Sequence, residues 1–214
     1  MLRTLPQNIF VCGTGTGVGK TVASTVLCNA LKADYWKPIQ TGSETDSDSR
    51  FVQQQTNYNI TIHSEAYLLK EPASPHYAAN LENKQIELNN VLLPQTNNRL
   101  VIEGAGGLLV PINENQTQVD VIEHLNAPVI LVANEYLGSI NHTLLSVELL
   151  RHKKISLLGI LFSRQSYRDN EEVIIRFSCC LNLGRVAYAQ KMDNHFFAQQ
   201  ADRLKENLNA YFQL

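Results

Sequence analysis

The run Gly13-Thr14-Gly15-Thr16-Gly17-Val18-Gly19-Lys20-Thr21 follows the apolar stretch Ile9-Phe10-Val11-Cys12 and precedes an amphipathic helical pattern. This strand, glycine-rich loop and helix order is the context of a phosphate-binding loop. Glycines let successive backbone N–H groups turn inward on a phosphate chain without Cβ clashes. The following helix adds a partial positive charge of about +0.5 at its N-terminus. Lys20 can reach terminal phosphates, and the Thr21 hydroxyl can bind magnesium. The competing reading, a glycine-rich turn with an exposed lysine, fits the flanks and the Gly-Lys-Thr order less well. The register departs from the common G-x-x-x-x-G-K-[ST] form. Counting back from Gly19, Thr14 holds the first-glycine place and Gly13 lies one residue earlier. The loop is a variant that indicates a nucleotide without fixing the reaction.

Apolar runs bounded by turn residues predict strands over 8–12, 35–38, 100–103, 128–133, 157–162 and 185–189. Helical patterns lie between them. Val22, Ala23, Val26, Leu27, Ala30 and Leu31 share one face. Ile140, Leu144, Leu145, Val147, Leu149 and Leu150 form a second, opening at Ser139 as N-cap. Val173, Ile174, Phe177 and Leu181 mark a third. Strands alternating with helices predict right-handed crossovers and a mostly parallel central sheet flanked by helices on both faces, with ligands beyond the carboxyl ends of the strands. Residues 41–60 read as a polar loop and a weak helix, and 71–84, with Pro72 and Pro75, as a structured loop. The 214 residues suit one α/β core, so 1–214 is read as one domain.

Composition narrows the function classes. A net charge of −2 gives no bulk attraction for nucleic acid. No apolar run approaches the roughly 18 residues of a membrane span, and no secretory signal is visible, so the expected location is cytoplasmic. Cys12, Cys28, Cys179 and Cys180 lack metal spacing and read as buried small hydrophobes in a reducing cytosol. A final helical pattern, Phe196, Phe197, Ala201, Leu204, Leu208 and Tyr211, carries Asp202, Arg203, Lys205 and Glu206 opposite. That mixed face favours packing on the sheet over lying on an anionic membrane.

Three further segments carry chemistry. Leu100-Val101-Ile102-Glu103-Gly104-Ala105-Gly106-Gly107 is an apolar strand ending in a carboxylate and glycines. Such an acid beside a phosphate loop completes a magnesium site, and its alternative is a solvated strand-terminating turn. In Trp36-Lys37-Pro38-Ile39-Gln40-Thr41-Gly42, Lys37 ends the second strand and can add a second ammonium near the phosphates, or be an ordinary surface lysine. Asp46 and Asp48 lie in the polar stretch beyond, as a magnesium ligand or as a solvated acidic loop.

Together these segments resemble the dethiobiotin synthetase family of the P-loop NTPase superfamily. The matching pieces are residues 13–21, Lys37-Pro38 with Thr41-Gly42-Ser43, Ser47-Asp48, Glu71-Pro72-Ala73-Ser74-Pro75-His76, Glu103-Gly104-Ala105-Gly106-Gly107 and Leu137-Gly138-Ser139-Ile140-Asn141-His142. The resemblance implies a P-loop NTPase-like fold and a cyclo-ligase of biotin biosynthesis. It would close the ureido ring of 7,8-diaminononanoate with carbon dioxide, through a carbamate and a carbamic–phosphoric anhydride, giving dethiobiotin, ADP and phosphate. It implies that Gly15, Thr16, Gly17, Val18, Gly19, Lys20 and Thr21 bind ATP, and that Thr21, Asp48 and Glu103 hold magnesium. Lys20, Lys37 and Thr41 would serve catalysis, with Thr41 also at the carbamate. Ser74, Pro75, Gly106 and Gly107 would line the diamine site. The Ser139-Ile140-Asn141 helix start would take the substrate carboxylate across a homodimer.

Three departures stand out. Gly17 replaces an acidic residue of some relatives, Ser163-Arg164 replaces the Asn-containing segment of adenine recognition, and Gly184-Arg185-Val186-Ala187 lacks a proline. The first removes a side-chain contact, and the other two predict weak base selectivity. The rival reading is a partner-binding ATPase switch of the partitioning or division-site type. It places a signature lysine early in the loop, where this chain has Thr14.

Overall fold

The computed structural model describes residues 2–42, 47–164 and 169–214. In chain order the first half contains β1 (Arg3–Thr4), β2 (Asn8–Gly13), α1 (Lys20–Leu31), β3 (Asp34–Trp36), β4 (Ile39–Thr41), α2 (Asp48–Gln55), β5 (Ile62–His63), β6 (Tyr67–Leu69) and α3 (Pro75–Leu81). Then come β7 (Leu100–Gly107), α4 (Gln118–Leu125), β8 (Val129–Asn134), α5 (Ser139–His152), β9 (Leu157–Ser163), α6 (Asn170–Ser178), β10 (Asn182–Val186), α7 (Asn194–Asn209) and β11 (Phe212–Gln213).

Seven strands form one sheet in the order β10-β9-β8-β2-β7-β3-β5, every described pairing in it being parallel. Alternate residues of each strand serve opposite faces. Ile9 and Val11 pack with α1, α2 and α7 through Val26, Leu27, Val52 and Phe197. Phe10 and Cys12 pack with α3, α4, α5 and α6 through Ala79, Ile122, Val147 and Ile174. Burial on both faces is why these strands read as unbroken apolar runs. Because the strands are parallel, their carboxyl ends share one edge, where the loops that follow β2, β3 and β7 meet.

Several boundaries differ from the sequence reading. The last strand of the seven-stranded sheet in chain order is β10, three residues before the predicted 185–189. Its buried residues are Leu183 and Val186, and a register shift against β9 interrupts the two-residue alternation of a strand. Tyr188 is exposed instead. Chain 35–38 stops pairing at Trp36 because Pro38 has no N–H to continue a ladder. The next residues form β4, which pairs with β6 in a separate two-stranded sheet. Within the predicted loop 71–84, Pro75 occupies the first turn of α3, where its missing N–H is harmless. The unpredicted α4 starts at a reciprocal capping box between Thr117 and Asp120. Gly138, not Ser139, is the N-cap of α5. Leu181 and Tyr211 fall beyond the ends of α6 and α7. Cys12 and Cys28 are buried as expected, but Cys179 is exposed and Cys180 half-buried, since α6 ends at Ser178 and turns at the surface. Among the described residues no helix is long and apolar enough to cross a membrane.

Candidate active site

The loop after β2 turns into α1 through Gly17 (φ 72°) and Gly19 (φ 96°), a left-handed backbone region that suits glycine. Lys20 opens the helix, is buried, and donates from Nζ to the Gly15 carbonyl at 3.0 Å. Burial pushes its ammonium below the ordinary lysine range, against the pull of Glu103 and with the push of Lys37. Gly107 packs behind the loop. A Cβ there would meet Gly15 Cα at 3.3 Å, so the closeness of β7 to the loop depends on a missing side chain.

Glu103 is only 1% exposed, which excludes a solvated turn acid. Its Oε1 lies 2.9 Å from the Thr21 hydroxyl and accepts from Lys37 Nζ at 3.2 Å, while Oε2 accepts from the Tyr35 hydroxyl at 3.0 Å. Lys37 is 6% exposed, so it is no surface lysine either, and it pairs with Asp48 Oδ2 as well as Glu103. Burial alone would depress Lys37, but the two carboxylates, Glu103 foremost, reverse this and hold it above the ordinary range. Asp48 moves the other way. Burial raises it, and Lys37 overcomes this and holds the carboxyl below its usual range. Burial pushes the Tyr35 phenol well above its ordinary range, with Glu103 adding to the shift, so it stays a proton donor. Buried Cys12, under the loop, is pushed up to about 12 by burial and is inert as a nucleophile.

The Thr21 hydroxyl also lies 2.5 Å from Asp48 Oδ1. One hydroxyl proton serves one carboxylate at a time, so Thr21, Asp48 and Glu103 bring three oxygens together with too few protons between them. The Lys37 ammonium now supplies the compensating charge. Hard oxygens from a hydroxyl and two carboxylates are the donor set that suits magnesium, which takes few protein ligands beside phosphate oxygens. The residues present therefore fit that ion.

A cavity of ≈ 610 Å³ opens over this cluster. It gathers Thr16, Gly17, Gly19, Lys20 and Thr21 with Lys37, Thr41, Asp48, Ser74, Pro75, Glu103 and Gly106. Other expected residues lie outside its lining. Gly15 and Val18 turn their carbonyls to Lys20 and Ser163, and Gly107 packs behind the loop. Ser139, Ile140 and Asn141 begin α5 away from the cavity. Ser139 is 1% exposed, and its hydroxyl has no hydrogen-bond partner among the described residues. Ser43 and Asp46 lie outside the described residues.

Tyr35 and Gln40 were not anticipated. Gln40 lines the cavity and accepts from the Asp48 amide at 3.2 Å, fixing the start of α2. The two-residue spacing of Tyr35 and Lys37 on one strand was the available signal for the tyrosine. At the far side of the loop, the Ser163 hydroxyl donates to Val18 O and Arg164 Nη2 donates to Gly17 O at 3.0 Å. Arg185 holds Arg164 O from Nη1 at 2.7 Å and pairs through Nη2 with Glu135 and Glu171. Both residues that stand at the expected adenine segment thus hold loop carbonyls.

A family model described as an AAA domain matches residues 7–195. The sequence is 40% identical over 205 residues to the ATP-dependent dethiobiotin synthetase BioD of Christiangramia forsetii, covering 95% of this chain and 99% of that one. It is 42% identical to the protein of the same name from Cytophaga hutchinsonii (94% and 98% covered) and 48% identical to that of Lawsonia intracellularis (78% and 81%). Among solved structures, a ParA family ATPase from Chlorobium tepidum superposes with TM-score 0.57 at 13% identity, covering 96% and 97%. A putative plasmid partition protein from Borrelia burgdorferi bound to AMPPNP gives TM-score 0.61 at 12% identity, covering 96% and 98%. At such identities the two structures speak for a shared P-loop fold alone.

Proposed function

The chain belongs to the AAA domain family it matches and to the dethiobiotin synthetase family, and on that footing we propose how its residues close a ureido ring. The substrates in this reading are 7,8-diaminononanoate, carbon dioxide and ATP. The observation that carries it is the convergence of Lys20, Lys37, Thr21, Asp48 and Glu103 on one cavity beside the phosphate loop.

A carbamate formed from one amine and carbon dioxide is anionic and already nucleophilic. It needs no strong base, only alignment with the terminal phosphate and neutralisation of the gathering negative charge. Lys20 meets the phosphates from the start of α1. Thr21, Asp48 and Glu103 would hold magnesium, which would shield phosphate oxygens from the attacking anion. Lys37, which lines the cavity with Thr41, would offer its ammonium to the anionic carbamate. The carbamate oxygen attacks the terminal phosphorus and expels ADP, giving the mixed anhydride; the second amine attacks its carbonyl carbon, loses a proton and expels phosphate as the ring closes. Ser74, Pro75 and Gly106 line the diamine end. Gly15 and Val18 shape the loop, and Gly107 lets it sit close to β7.

The substrate carboxylate is assigned to the first turn of α5 in a second copy of the chain. Helix N-terminal amides favour an anion. The buried Ser139 hydroxyl, which has no hydrogen-bond partner among the described residues, supports that assignment, with Ile140 and Asn141 completing the turn.

Turnover assays with and without diamine and bicarbonate decide the matter. Dethiobiotin formation that needs both, together with ATP and Mg2+, is the expected result. ATP hydrolysis stimulated only by a protein or lipid partner would reject the synthetase reading in favour of a partitioning-type switch.

A further inference from the structure

We infer that Tyr35 is a positioning residue for the divalent cation, acting through Glu103. The inference rests on the reading of Thr21, Asp48 and Glu103 as its ligands. Tyr35 sits in β3, and Tyr35 and Trp36 pair with Val101 and Ile102 of β7. Residues two apart on a strand share a face. Glu103 therefore lies diagonally across from Tyr35 on the face where Tyr35 and Val101 pack together. A tyrosine is long enough to span that diagonal.

The hydrogen bonds divide the Glu103 carboxylate into two roles. Oε2 is tied to the Tyr35 hydroxyl at 3.0 Å, inside the core. Oε1 faces the cavity toward Thr21 and Lys37. The terminal torsion of a glutamate is broad and nearly two-fold, so an untied carboxylate can tip or exchange its oxygens. The phenol removes that freedom and presents Oε1 to the site in one orientation. A phenylalanine would fill the same apolar space. A buried hydroxyl is favourable only when it is bonded, and its bond here goes to the acid of the site.

The test uses full-length Tyr35→Phe, which keeps the ring and deletes the donor. Mn2+ binding to the ADP complex is measured by electron paramagnetic resonance, and Mg2+ activation of turnover is measured alongside. Binding of ADP in EDTA reports the integrity of the fold. Outer partners of metal ligands typically matter by 10- to 100-fold in affinity. The expected result is a rise of about tenfold in the Mn2+ Kd and in half-activating Mg2+. Metal-free ADP affinity is unchanged, and turnover is restored by excess Mg2+. In a Glu103→Gln background the Tyr35→Phe change has no further effect on Mn2+ affinity. Equal Mn2+ affinity in wild type and Tyr35→Phe, or additive losses in the double variant, would overturn the inference. A wild type that binds no Mn2+, with Thr21→Val and Glu103→Gln also without effect on turnover, would instead sink the ligand reading itself.

Discussion

Replacing Lys37 with alanine separates charge in the folded protein from charge in the reaction. Lys37 and Glu103 are 6% and 1% exposed, and Asp48 shares the same ammonium. Removing the cation leaves two carboxylates facing each other across Thr21. Breaking one partner of a buried ion pair costs about 3–5 kcal/mol. Without divalent cation, Lys37→Ala should therefore melt well below wild type. Added Mg2+ should restore most of that loss, because the ion supplies positive charge to the same oxygens and stabilises the state that binds it. Turnover should not recover with stability. Losing one preorganised charge-stabilising group costs roughly 10²–10³ in rate, whereas Lys20 and the loop still hold the nucleotide. Thermal melts with and without Mg2+, equilibrium ATP binding and dethiobiotin formation measure the three quantities. A variant with near-normal turnover would refute the role given to Lys37. A stability loss that Mg2+ leaves untouched would refute the idea that ammonium and metal serve the same carboxylates.

Three other outcomes follow from the same geometry. Lys20→Ala should weaken ATP binding and lower turnover together, each by roughly a hundredfold, and loss of only one in steady-state and binding assays would count against its placement. Arg164→Met should raise KM for ATP, CTP and GTP alike, by about tenfold if the lost contact is a charge-assisted bond, because Arg164 grips Gly17 O. Comparable kcat/KM for the three nucleotides in wild type belongs to the same expectation, and a strong preference for ATP would sink it. At Asp34, burial raises the carboxyl, but bonds from Thr96, Thr61 and Asn98, with His63 nearby, outweigh it and leave the group below its usual range. The unfolded state therefore binds the proton first. Asp34 contributes stability above the unfolded pKa, about 3.9, and loses it as pH falls toward the lower folded value. Asp34→Asn should flatten the stability curve in that acid window, as read from urea midpoints at several pH values.

What could be read from the sequence depended on how far a residue's partners lie along the chain. The phosphate loop was legible because strand, glycines, lysine and threonine act within one local unit. Glu103 was legible because a carboxylate ending an apolar strand is a local mark. Lys37 could be placed at a strand end, but its partners lie 11 and 66 residues away. That distance closes only because β7 runs between β2 and β3. Tyr35 was hidden for a different reason. A tyrosine in a strand already has a sufficient explanation in core packing, and its hydroxyl gains a role only once the register sets it diagonal to Glu103. The pairing of β4 with β6 left no periodic signal in three-residue strands, although Pro38 announced that β3 must stop. The Thr117 to Asp120 capping box is a local signal that needs no distant partner. Ser163 and Arg164 show the limit of resemblance. The resemblance implies an adenine segment at these positions, and only the carbonyls of Val18 and Gly17 reveal what the two side chains hold in this chain. A motif places the reacting phosphates, while sheet order decides which distant charges stand around them.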